Sequence, residues 1–163
     1  MSTELERGEL DELAARWRDG WHGTGFDVCC TPDVAYEDPV AVEPLRGVDE
    51  LDRHAAAIRA AFPDLRVEAT APPLARAGHA CVPWRALGTH RGNVGSVLPA
   101  TDRFLTLHGL HYLELSDGIV RRARGFFDLY DAATQLGLLP ARGGLGETAL
   151  LMLRGFGLRR RPT

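Results

Sequence analysis

At 163 residues, with 45% hydrophobic and 25% charged positions, the chain is sized for one soluble domain with a real core. Nothing in its net charge of −3 suggests wholesale nucleic-acid binding, and because all 19 basic residues are arginine, Schiff-base lysine chemistry and the Gly-Lys-Ser/Thr phosphate loop are excluded. Cys29, Cys30 and Cys81 have no metal-ligand spacing and fit a reducing compartment. The N-terminus lacks a signal-type apolar run, and no stretch approaches the roughly 20 apolar residues of a membrane span. The expectation is a cytoplasmic protein with no stable membrane insertion.

The spacing of Leu5, Leu10, Leu13, Ala14, Trp17 and Trp21 predicts a first helix over 3–21. Trp17 and Trp21 read either as core packing or as an aromatic wall for a flat ligand. A short helical turn over 26–30 is broken by Pro32-Asp33. Residues 34–38 then alternate as a strand halted by Pro39, with Tyr36 and Asp38 on one face. Gly47 opens a second helix, with Asp49 or Glu50 where the dipole favours negative charge. Leu51, Ala55, Ile58 and Phe62 form its core stripe, Pro63-Asp64 ends it, and His54 reads as a peripheral core residue. Residues 65–71 read as a strand before the Pro72-Pro73 break.

Three strand-length segments follow, over 79–90, 103–115 and 118–128, leading directly into a helix over 129–136 closed by Gly137. Alternation places Leu105, Leu107, Gly109, His111, Leu113 and Leu115 on one face, apolar except for an imidazole. The same count puts Asp128 on a face with Phe126, Val120, Arg122 and Arg124. An antiparallel sheet with one buried face would then aim His111 and Asp128 into a single hollow. The glycine-containing loop over 91–99 is too irregular for a phosphate cradle. Residues 1–140 form the expected domain and 141–163 an extension: a Gly143-Gly144 joint, an apolar run over 149–153 and the basic Arg159-Arg160-Arg161 end. So short a helix needs something to lie against. A partner subunit, the domain's own pocket mouth and an anionic membrane surface are the candidates, the first two favoured.

Helices followed by a run of strands argue an α+β fold in which a curved antiparallel sheet wraps around N-terminal helices as a cone with an apolar interior open at one end. The polar groups expected to point inward are Tyr36, Asp38, His90, His111, Arg124 and Asp128, with Trp84 on the face of His90. Each has a plainer reading. Asp128 suits an N-cap, His111 a hydrogen-bonded core histidine, His90 a surface strand end, and Arg124 a solvated edge rather than an anion anchor.

Phe62-Pro-Asp-Leu-Arg66, then Trp84 followed by Gly88-Thr-His90-Arg-Gly92, then Asp117-Gly-Ile-Val120, Phe126-Phe-Asp128 and Gln135-Leu-Gly-Leu138 occur in an order and spacing that resemble the SnoaL-like polyketide cyclase (ester cyclase) family over about residues 8–140. The resemblance implies the cone-shaped nuclear-transport-factor-two-like (cystatin-like α+β barrel) fold, a homodimer through the sheet, and a flat hydrophobic substrate in the cavity. It also implies that Asp128 takes a proton from carbon next to a carbonyl, so that an intramolecular aldol closure follows without metal or cofactor. The assisting histidine is most nearly His111, with His108 the alternative. Two positions depart from the family pattern: the loop reads Leu98-Pro-Ala-Thr-Asp-Arg103, and the last strand carries Arg122-Ala-Arg124 where histidine and tryptophan often stand.

The reading is a cofactor-independent acid–base enzyme of polyketide-type natural-product biosynthesis. Asp128, His111 and His90 are its catalytic candidates; Trp17, Trp21, Tyr36, Asp38, Phe62, Trp84, His108, Arg124 and Phe126 line the substrate. Isomerisation, dehydration, cofactor-free hydroxylation, and epoxide opening by an Asp38–Arg124–Asp128 set are alternatives on the same fold. A non-catalytic ligand-binding or assembly protein is the alternative of another class.

Overall fold

The computed structural model describes residues 7–41, 43–93 and 99–153, the side chain of Leu151 excepted. The expected helix start at 3–6, the middle of the glycine-containing loop and the Arg159–Arg161 end lie outside the described residues. Helix α1 (Arg7–Asp19) buries Leu10, Leu13, Ala14 and Trp17 along one stripe. It widens into a π turn over Gly20–Thr24 that brings Trp21 inward. Gly20 is needed there, because a Cβ would lie 2.5 Å from the Phe26 ring. Then come β1 (Cys30–Glu37), β2 (Leu45–Arg46), α2 (Val48–Ala61), β3 (Arg66–Ala69), β4 (Leu74–Arg76), β5 (His79–Thr89), β6 (Phe104–Ser116), β7 (Ile119–Phe127), α3 (Leu129–Gln135) and α4 (Leu145–Leu153).

The strands form one curved, unclosed sheet in the order β2-β1-β7-β6-β5-β3, with β4 on β5. Helices α1 and α2 contribute to the same core as its inner face. The fold is therefore the expected α+β arrangement, with one difference: β1 runs parallel to β7, so the sheet is mixed rather than purely antiparallel. A long connection carries the chain from the first strand around to the last, and parallel neighbours require such a crossover.

The β6–β7 hairpin turns on Asp117 and Gly118, both at positive φ, 49° and 81°. Past the turn the register slips: Leu115 pairs with Val120 but Glu114 pairs with Arg122, leaving Arg121 as the extra residue of a bulge. Side chains alternate with period two, so this insertion exchanges the faces of everything that follows. Val120, Ala123 and Gly125 are buried inside, while Arg124 and Phe126 are exposed outside. On β6 the expected alternation holds, with Leu105, Leu107, His111 and Leu113 buried.

The inner face is shaped by what it omits. A Cβ at Gly109 would lie 2.1 Å from an atom of the Trp84 ring, so the indole lies across bare backbone. Gly109→Ala is expected to push Trp84 out of place and to lower unfolding free energy by about 1–3 kcal/mol. Urea titration together with near-UV circular dichroism measures both.

Candidate functional site

Val82, His111 and Gly125 are register partners across β5, β6 and β7, and Asp38 follows the end of β1 beside them. Glycine at 125 matters because a Cβ there would stand 2.8 Å from the Tyr36 hydroxyl and 3.1 Å from the Asp38 Cβ. Tyr36 therefore passes close over the strand and its hydroxyl donates to Asp38 Oδ2 at 2.9 Å. His54 Nε2 sits 2.8 Å from the same oxygen. Backbone N–H groups of Val40 and Ala41 donate to Oδ1, each at 2.8 Å. The Asp38 side chain is only 2% exposed, and the four donors replace the water it has lost.

These contacts fix protonation. Burial pushes the Asp38 carboxyl up, but His54 and the two backbone N–H groups outweigh it and hold the carboxyl below its ordinary value. Burial, reinforced by the Asp38 charge, pushes the Tyr36 phenol up, so it stays protonated. An ionised carboxylate only accepts, so His54 donates from Nε2; in the neutral ring Nδ1 is then the basic nitrogen. Tyr36 Oη lies 3.4 Å from His111 Nε2. Since the hydroxyl proton goes to Asp38, His111 is the donor in this longer contact. The result is a connected chain, His54–Asp38–Tyr36–His111.

His111 sits in an aromatic box. The Trp21 ring stacks on it at 5.3 Å and 7°, Trp84 lies at 5.3 Å and 30°, and Trp17 meets it edge-on at 5.4 Å. Burial lowers its pKa to about 3, against a weaker opposing pull from Asp38, so the imidazole is neutral. At this level the expected open cavity is filled by the protein's own rings. The Nε1–H groups of Trp17, Trp21 and Trp84 are buried with no partner among the described residues, three donors suited to water or carbonyl oxygens. A cleft of about 450 Å³ between α1 and residues 69–73 reaches Ala14 and Val82, the register partner of His111.

Trp17, Trp21, Tyr36, Asp38, Trp84 and His111 are thus brought together. Asp128 is not among them. The bulge turns it outward, where its side chain, 49% exposed, caps α3 through Asp131 N–H at 2.9 Å and pairs with Arg142 at 2.6 Å. The Asp131 N–H and Arg142 hold its carboxyl below the ordinary value. Arg124 pairs with Glu37 at 3.2 Å on the outer side, so the Asp38–Arg124–Asp128 set does not assemble. His108 and Phe126 are exposed on the outer face. His90 is fully buried rather than on the surface. It stacks on Phe62 at 5.2 Å and accepts from Thr101 N–H at Nδ1, leaving its Nε2 without a partner among the described residues.

His54 is the participant that residue-by-residue reading missed. Its signal was present: it falls on the stripe of Leu51, Ala55 and Ile58, where a polar side chain needs a partner. Among the described residues, no group of three or more His, Cys, Asp or Glu side chains is placed to hold a metal ion.

The neutral state of His111 links stability to pH. The unfolded chain protonates this ring near 6.5 and the folded chain near 3, so between these values the unfolded state holds more protons. Its contribution is complete above about pH 6.5 and is lost on acidification towards pH 3, at about 1.4 kcal/mol per pH unit. Protonation of Asp38 adds a loss at lower pH. His111→Gln is expected to flatten the dependence between about pH 4 and 6, as read from urea unfolding at stepped pH.

Residues 10–136 match the SnoaL-like polyketide cyclase family profile. A search of functionally curated proteins returned no match. Among solved structures, TsrD from Streptomyces laurentii superposes with a TM-score of 0.73 at 22% identity, covering 83% of this chain and 100% of its own. A candidate SnoaL-like polyketide cyclase from Jannaschia sp. CCS1 gives 0.72 at 20% identity, covering 86% and 99%. A protein with a ketosteroid isomerase-like fold from Catenulispora acidiphila gives 0.65 at 16% identity, covering 78% and 93%. At these identities the superpositions establish the fold, and the profile match carries the kinship: the chain belongs to the SnoaL-like polyketide cyclase family.

Proposed function

We propose that this protein is a cofactor-independent acid–base enzyme of the cytoplasm. It removes a proton from carbon next to a carbonyl in a hydrophobic, polyketide-type substrate, so that an intramolecular aldol closure can follow. The observation that carries this reading is the buried Asp38 carboxylate, joined at one oxygen to both an imidazole and a phenol. His54, at 14% side-chain exposure, is the most accessible member of the chain. Its Nδ1 takes the proton, and Asp38 steadies the imidazolium that forms. The Tyr36 hydroxyl, turning from Asp38, donates to the developing enolate oxygen, with neutral His111 supporting the phenol from behind. Protonated His54 then returns the proton to the alkoxide formed by ring closure.

Hydrogen–deuterium exchange at the acidic carbon of an aryl β-keto ester, followed by NMR in D₂O, tests this step. Asp38→Asn and His54→Gln are each expected to slow protein-dependent exchange by about 10²–10⁴-fold. Exchange untouched by both changes would leave a non-catalytic ligand-binding protein. A larger loss on Asp128→Asn than on either would return the base to the strand end.

The outer face of the sheet supports a homodimer. Pro83, Leu110 and Phe126 are register partners across β5, β6 and β7 and form an apolar row there, with Phe126 48% exposed. Leu110→Glu combined with Phe126→Glu is expected to convert a dimer into a monomer in sedimentation velocity, with the far-UV spectrum unchanged.

A further inference from the structure

The edge of the sheet is interrupted beside the buried row of His111. Strand β5 is partnered by β3 as far as Trp84, which pairs with Ala69, and by β4 from Cys81, which pairs with Leu74. Between the two the chain crosses over residues 70–73, where Pro72 and Pro73 bring no N–H that could continue the ladder. The Thr70 N–H reaches the Pro83 carbonyl at 3.4 Å. Opposite this break lies α1, whose Asp11, Ala14 and Arg18 stand at i, i+3 and i+7, one line along the helix. Ala14, Ala69 and Ala71 are too small to close the gap, and with Val82 they line the cleft of about 450 Å³. That volume falls in the range of small-molecule sites.

The charges of the cleft are unequal in their surroundings. Arg18 is half-buried and makes no hydrogen bond or ion pair with any described residue. A guanidinium partly removed from water beside apolar walls favours an anionic partner, and its planar fork matches the two oxygens of a carboxylate. Asp11 lines the same wall and is exposed, two turns away, or about 10 Å at 1.5 Å of rise per residue. The helix wall is therefore neutral overall. This disfavours a dianion such as a phosphate monoester and suits a single negative charge at the Arg18 end.

We propose that this cleft binds a small aromatic carboxylic acid as its anion. The rings lie between Ala14, Val82 and residues 69–73, and the carboxylate pairs with Arg18. The site is separate from the His54–Asp38–Tyr36–His111 chain: it lies on the β5 side of His111, whereas Asp38 stands beside Gly125 on the β7 side. It does not rest on the acid–base reading of that chain.

Isothermal titration calorimetry of the full chain with 2-naphthoate, 2-naphthamide and 2-naphthyl phosphate tests it. The carboxylate is expected to bind about tenfold or more tightly than either analogue, since only it offers the fork one charge and two oxygens. Arg18→Gln is expected to weaken 2-naphthoate by about 10- to 100-fold and to leave the amide unchanged. Ala71→Trp, which fills the cleft from its exposed wall, is expected to abolish binding while the unfolding midpoint is kept. The proposal is overturned by a lack of 2-naphthoate binding, or by an amide or phosphate that binds as tightly as the acid. Binding of 2-naphthoate that is indifferent to Arg18→Gln or to Ala71→Trp overturns it too.

Discussion

A single carboxylate organises this molecule. Asp38 is cut off from water at the end of β1, and an ionised oxygen in such a place demands donors from whatever surrounds it. The structure supplies them from three directions: the backbone beyond Pro39, the Tyr36 phenol two residues back, and His54 across from α2. Leaving one such donor unmade costs about 1–3 kcal/mol, comparable to a large share of a domain's net stability. This requirement joins the burial of Leu51 and Ala55 in holding α2 against the sheet.

Around that requirement the interior is built from rings rather than space. Three indoles and a phenol surround His111, and bare backbone at Gly109 and Gly125 lets Trp84 and Tyr36 lie flat against the strands. A neutral imidazole is what such a box stabilises, since a charged one would forfeit its hydration. The unpartnered indole N–H groups give the box a polarity of its own, facing acceptor oxygens.

Much of this could be read from residues alone. The helices, the strands and the inward face of β6 follow from periodicity, because each is decided by side chains a few positions apart. His111 and Trp84 fall on the buried face for that reason. Two features escaped local reading. The Arg121 bulge is a matter of pairing between strands, and alternation counted along β7 alone cannot register it; hence Asp128 was expected inside and stands outside, capping α3 as its plainer reading allowed. His54 needed the fold to meet Asp38, sixteen residues away, and nothing in either neighbourhood announces the other.

The extra residue in β7 behaves like a change of reading frame written in side chains instead of codons. With it, alanine and glycine look inward and the arginines look out; the same residues in unbroken alternation from Val120 would send two guanidinium groups and a phenylalanine into the core. A bulge of this kind takes up an extra residue and keeps the wall beyond it in phase, leaving helices, turns and neighbouring strands where they were.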